Sequence, residues 1–75
     1  MPTLYLRYAS LTPERAKETV DLLSHFPGNV PVVLYDASTG EKRLSPKELR
    51  INLSETFLGQ AYALLGEENV KITVR

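Results

Sequence analysis

The 75-residue chain contains no cysteine, no tryptophan, one histidine, and no excess of charge of either sign. Each shortage excludes something. Without cysteine there are no disulfides and no thiolate metal sites, the two staples that domains of this length commonly add to a thin core. The same absence fits a reducing, intracellular compartment, so a cytoplasmic location is expected. Nine basic and nine acidic side chains cancel. A non-specific nucleic-acid binder draws its affinity from phosphate neutralisation and carries a basic excess, so this balance argues against that class while leaving room for a local basic patch. No apolar run approaches the roughly 20 residues of a membrane span. The opening Met1-Pro2-Thr3-Leu4-Tyr5-Leu6-Arg7 has neither the charged start nor the apolar stretch of a signal peptide. No membrane partner is expected.

What is present is an ordinary apolar share, 43%, arranged with clear periodicity over residues 1–75, which make one domain. Thr3 to Tyr8 alternates, with Leu4, Leu6 and Tyr8 on one face and Tyr5 and Arg7 on the other, the period of a half-buried strand. Thr12 as cap, Pro13 at the first helical position and Glu14 at the positive dipole end announce a helix. Its buried stripe is read as Ala16, Thr19, Val20 and Leu23 with Leu22 or Phe26, and Pro27-Gly28 is read as its stop, with Gly28 left-handed. Val30 to Tyr35 is almost continuously apolar and β-branched, which suits a central strand. Asp36 to Glu41 is a polar turn, Lys42 to Leu44 a returning arm, and Glu48 to Leu53 a further strand or the continuation of a bent one. Ser54 caps a second helix, with Leu58, Ala61, Tyr62 and Leu65 inward, Phe57 and Leu64 flanking, and Gly66 at its end. Asn69 to Val74 alternates again, Val70, Ile72 and Val74 inward. The order β-α-β-β-α-β predicts an α/β (α+β) two-layer sandwich, both helices on one face of a mixed four-stranded sheet.

Catalysis needs a constellation, and few parts exist. His25, near the end of the first helix, has no second histidine or cysteine to complete a metal site, and its expected role is to bond the last helical carbonyls. The carboxylates are scattered over solvent-facing positions with no calcium-loop spacing. Gly28, Gly40, Gly59 and Gly66 are isolated and form no phosphate loop. Gly59 lies inside the second helix, where glycine costs about 1 kcal/mol relative to alanine. Close packing, or a smooth spot for a partner, would each account for it. No catalytic residue, metal ligand or cofactor is expected.

The outward side of the strands carries more. Alternation places Tyr5, Arg7, Val33, Tyr35, Arg50, Lys71, Thr73 and Arg75 on the face away from the helices. An open sheet must expose something, and Tyr, Thr and Arg are good strand residues on a solvated face. Aromatics interleaved with arginines also suit a protein docking face, or stacking of bases with phosphates held beside them.

Three segments carry a family resemblance: Leu4-Tyr5-Leu6-Arg7, Phe26-Pro27-Gly28-Asn29-Val30-Pro31-Val32 and Leu64-Leu65-Gly66-Glu67-Glu68-Asn69-Val70. With the Leu44-Ser45-Pro46 to Asn52-Leu53-Ser54 stretch between them, the chain resembles, over nearly its whole length, the small C-terminal domain of the bacterial DNA polymerase III alpha subunit. That resemblance implies a fragment of a larger DNA-directed polymerase, a nucleotidyltransferase whose catalytic aspartates lie in another domain. It implies a non-catalytic role in protein interaction: contact with the tau subunit of the clamp loader, which couples the polymerase to the replisome, and with neighbouring polymerase domains. Two alternatives stand beside it, single-stranded nucleic-acid binding through Tyr5 and Tyr35, less favoured by the neutral charge, and a structural cap on the preceding domain.

Overall fold

A computed structural model describes residues 2–74. The elements run β1 (Pro2–Tyr8), α1 (Pro13–Ser24), β2 (Pro27–Val30), β3 (Val32–Asp36), β4 (Glu41–Leu44), α2 (Glu55–Leu65) and β5 (Val70–Val74), with short 3₁₀ turns at Lys47–Leu49 and Glu67–Asn69. Both edges of β1 are paired. It runs parallel to β3 and antiparallel to β5, and β3 turns back into antiparallel β4, giving the sheet order β4-β3-β1-β5. The fold is the expected α+β sandwich with a mixed four-stranded sheet.

The core follows from the alternation in β1. Leu4, Leu6 and Tyr8 are buried together with Val32, Val70, Leu23 of α1, Ile51, and Phe57 and Ala61 of α2. Phe26 and Phe57 meet edge to face, ring centres 5.4 Å apart, the arrangement that ring quadrupoles favour. Thr19 is the buried polar residue of the core. Its Oγ1 donates to the Arg15 carbonyl at 2.9 Å and accepts from the Tyr8 hydroxyl, so both hydroxyls are satisfied. Burial raises the Tyr8 pKa above the ordinary tyrosine value, and the Thr19 hydrogen bond offsets that only in part.

Helix ends obey the expected chemistry. Thr12 Oγ1 accepts from the Arg15 amide at 3.2 Å and Ser54 Oγ from the Phe57 amide at 3.1 Å, each filling an orphan donor of the first turn. His25 caps α1, its amide bonded to the Leu22 carbonyl and its Nδ1 2.6 Å from the Asp21 carbonyl. Gly66 closes α2 with φ 89°, ψ 143°, a backbone region that side chains avoid. In the β3–β4 turn, Asp36 Oδ1 accepts from the Ser38 amide (2.9 Å) and hydroxyl (2.6 Å). The Ser38 hydroxyl bond is the largest of the effects that lower the Asp36 pKa.

Several expectations are corrected. Glu48 to Leu53 is not a strand: it is a 3₁₀ turn followed by single bridges from Ile51 to Pro27 and Val30. Ile51 bridges only the short β2, and neither belongs to the four-stranded sheet. Gly28 is an extended residue of β2 and not left-handed. It is required there because a Cβ would run into the backbone of Ile51 and Asn52. Val20 is 45% exposed, leaving α1 a narrower stripe centred on Thr19 and Leu23. On α2, Phe57 is at the centre of the buried face and Leu58, Tyr62 and Leu65 are only half-buried. Gly59 packs against nothing, since no atom lies within 4 Å of where its Cβ would stand.

Candidate partner-binding face

Cross-strand register fixes which side chains meet on the side of the sheet away from the core. Partners directly opposite one another share a face, so two rows can be read across the strands. One runs Leu44–Val33–Tyr5–Lys71 and the next Lys42–Tyr35–Arg7, with the pair Thr3–Thr73 beyond the first. Every tyrosine in these rows has a cation beside it: Tyr5 is opposite Lys71, and Tyr35 stands between Lys42 and Arg7. The two rings are diagonal neighbours on adjacent strands. They line, with Arg7, Lys42, Lys71, Thr73, Asn69 and Glu68, a shallow depression of about 440 Å³.

The alternation of β4 separates its charges. Glu41 and Arg43 fall on one side, opposite Asp36 and Leu34, and form an ion pair at 3.5 Å. Lys42 and Leu44 fall on the other, and Leu44 is 67% exposed. Among the described residues the only other ion pair joins Arg15 to Glu18 on α1, so Arg7, Lys42 and Lys71 have no carboxylate partner. The Asn69 amide reaches back to the Leu65 carbonyl at 2.7 Å, which fixes the chain where α2 turns into β5 and holds that rim in place.

Of the expected face residues, Tyr5, Arg7, Val33, Tyr35, Lys71 and Thr73 are together on this side. Arg50 is not among them. It follows the 3₁₀ turn, outside the sheet, and its carbonyl accepts the Gly28 amide at 3.0 Å. It was placed on the face by a strand that does not form. Arg75 lies outside the described residues. Lys42 and Leu44 were missed, although their parity across the hairpin from Tyr35 and Val33 carried the signal.

The helix side is different in character. A groove of about 580 Å³ between α1 and α2 has an apolar floor of Leu22, Phe26 and Leu64 and an acidic wall of Glu18 and Asp21, with His25 at its end. Among the described residues, no group of three or more histidine and acidic side chains is placed to hold a metal ion. No described helix is long and apolar enough to cross a membrane. No protein-family model, curated protein or solved structure matches the chain.

Proposed function

We propose that the chain is a non-catalytic docking domain of a bacterial replicative polymerase alpha subunit, engaging the tau subunit of the clamp loader through its open sheet face. The resemblance through Leu4–Arg7, Phe26–Val32 and Leu64–Val70 supports the context. The observation that carries the docking role is the bare side of a sheet whose other side is filled by the core, set with Tyr5, Tyr35 and Arg7. Tyrosine and arginine are the residues on which protein interfaces most depend. Calorimetry of the chain against the C-terminal part of tau tests this, with binding heat expected. Absence of heat where the full alpha subunit binds would overturn an autonomous docking role.

A second reading, a cap on a neighbouring polymerase domain, is favoured by β5. Ile72 and Val74 are opposite Leu4 and Pro2, and they are 40% and 75% exposed. Such a patch predicts self-association of the isolated chain, relieved by Val74→Thr. Sedimentation as a monomer at millimolar concentration would remove it.

A further inference from the structure

We infer that the occupant of the open face is a short, extended, acidic segment of the partner protein, with carboxylates on Lys42, Arg7 and Lys71 and an apolar side chain over Tyr5 and Tyr35. This deepens the docking reading and rests on it.

Charge comes first. The two cross-strand rows hold three cations and no acid, in a chain whose formal charge is zero. The carboxylates that balance them lie elsewhere, and only Glu68 reaches the rim of the depression. A face of one sign on a neutral molecule selects a partner of the opposite sign and repels its own copy. A second copy docked face to face about a two-fold axis would bring the same three cations together.

Size favours a single segment of chain over a whole globular surface. Four strands at about 4.8 Å spacing make a face roughly 19 Å wide, and a five-residue strand is about 17 Å long. That is roughly 320 Å², well below the ~800 Å² per partner of a standard protein interface. A single segment of chain fills it. From Lys42 on β4 to Lys71 on β5 is three strand spacings and one row, about 16 Å. An extended segment spans that in about five residues. Its acidic residues therefore stand about five apart, with the apolar residue between them.

Composition argues against a nucleic-acid strand. Half of the first row is Leu44 and Val33, which give phosphates nothing. A backbone-tracking groove for single strands is basic along its length, whereas this face carries its cations at the two outer strands and at Arg7.

The test uses the full chain labelled with ¹⁵N and four probes. They are a ten-residue peptide with four glutamates around one phenylalanine, its glutamine counterpart, a ten-nucleotide oligothymidine, and the tau fragment of the calorimetric experiment. The acidic peptide is expected to shift the amides of Tyr5, Arg7, Tyr35, Lys42 and Lys71, and the glutamine peptide to bind at least tenfold more weakly. Lys42→Glu combined with Lys71→Glu is expected to weaken both the acidic peptide and the tau fragment at least tenfold. If that variant melts early, Lys42→Gln with Lys71→Gln replaces it, with a loss of at least threefold expected. A tau fragment that binds wild type and variant equally overturns the acidic-segment inference and leaves the docking reading standing. Charge-dependent binding of the acidic peptide without binding of the tau fragment supports the chemistry of the face and removes tau as the partner. Oligothymidine that binds more tightly than the acidic peptide overturns the inference in favour of a nucleic acid.

Discussion

Replacing Gly59 by alanine should stabilise the domain, and the size of the gain can be worked from the surroundings of that residue. Gly59 lies in the interior of α2, Glu55–Leu65, on its exposed side, with nothing within 4 Å of the added methyl group. Its φ is negative, so alanine enters without backbone strain. No contact is gained or lost in the folded state. What remains is the helix propensity difference, about 0.8–1.0 kcal/mol, which arises from the greater freedom of glycine in the unfolded chain. For a domain of this size, about 1 kcal/mol raises the midpoint of thermal unfolding by roughly 4–8 °C. Urea unfolding followed by far-ultraviolet circular dichroism measures it, with the dependence on urea unchanged between the two chains. Gly66→Ala is the opposing control. At φ 89° a side chain costs about 1–3 kcal/mol, so the two glycines should shift stability in opposite directions. A Gly59→Ala variant that is less stable than wild type would refute the reasoning, because it would mean that the outer side of α2 is in contact with another surface.

Gly28→Ala forces a methyl group into the backbone of Ile51 and Asn52 and should cost about 3 kcal/mol, at the upper end of overpacking effects; unchanged urea stability would contradict the close approach of β2. Phe57→Ala empties the centre of the α2 contact and should cost about 3–5 kcal/mol, read from the same unfolding curves. Thr19→Val leaves the Tyr8 hydroxyl buried without an acceptor and should cost about 1–3 kcal/mol. Because the Tyr8 pKa is raised above 10.0 in the folded chain, the unfolded state loses its proton first as pH rises. The folded state then holds more protons than the unfolded one, so stability is intact below pH ~10 and falls above it, by up to about 1.4 kcal/mol per pH unit for one proton, until the folded pKa is passed. Unfolding curves between pH 9 and 12 check the slope, which Tyr8→Phe should reduce.

The parts of this fold that could be read from the residues are those where one local rule acts alone. Alternation from Thr3 to Tyr8 placed both the core side and the open side of β1, because a period of two leaves no other assignment. Thr12-Pro13 and Ser54 fixed the helix starts, since orphan amides need an acceptor wherever the helix packs. The reading failed where tertiary pairing decides. Leu49, Ile51 and Leu53 alternate as a strand would, yet alternation says nothing about which strand, if any, is placed to pair with them. Arg50 was misplaced for that reason alone. Val20 and Phe57 were misjudged because a helical stripe gives the direction of burial but not how wide the opposing surface is. Lys42 joined the face through the register of the hairpin, which depends on the length of the Asp36–Glu41 turn.

The position of β1 has a consequence for how the molecule comes into being. Its pairing with β5 joins Leu4 to Ile72, residues separated by nearly the whole chain. Until β5 arrives, β1 is an open edge, with Leu4 and Leu6 alternating along it and no neighbour on that side. Exposed edges of this kind recruit strands from other molecules. A chain cut short before Val70 therefore gains a sticky border instead of merely losing one strand, and late closure of this pair makes folding slow relative to helical domains of equal length. The last strand covers the apolar border of β1 and moves the edge of the sheet outward to β5, where Lys71 and Thr73 alternate with the apolar residues.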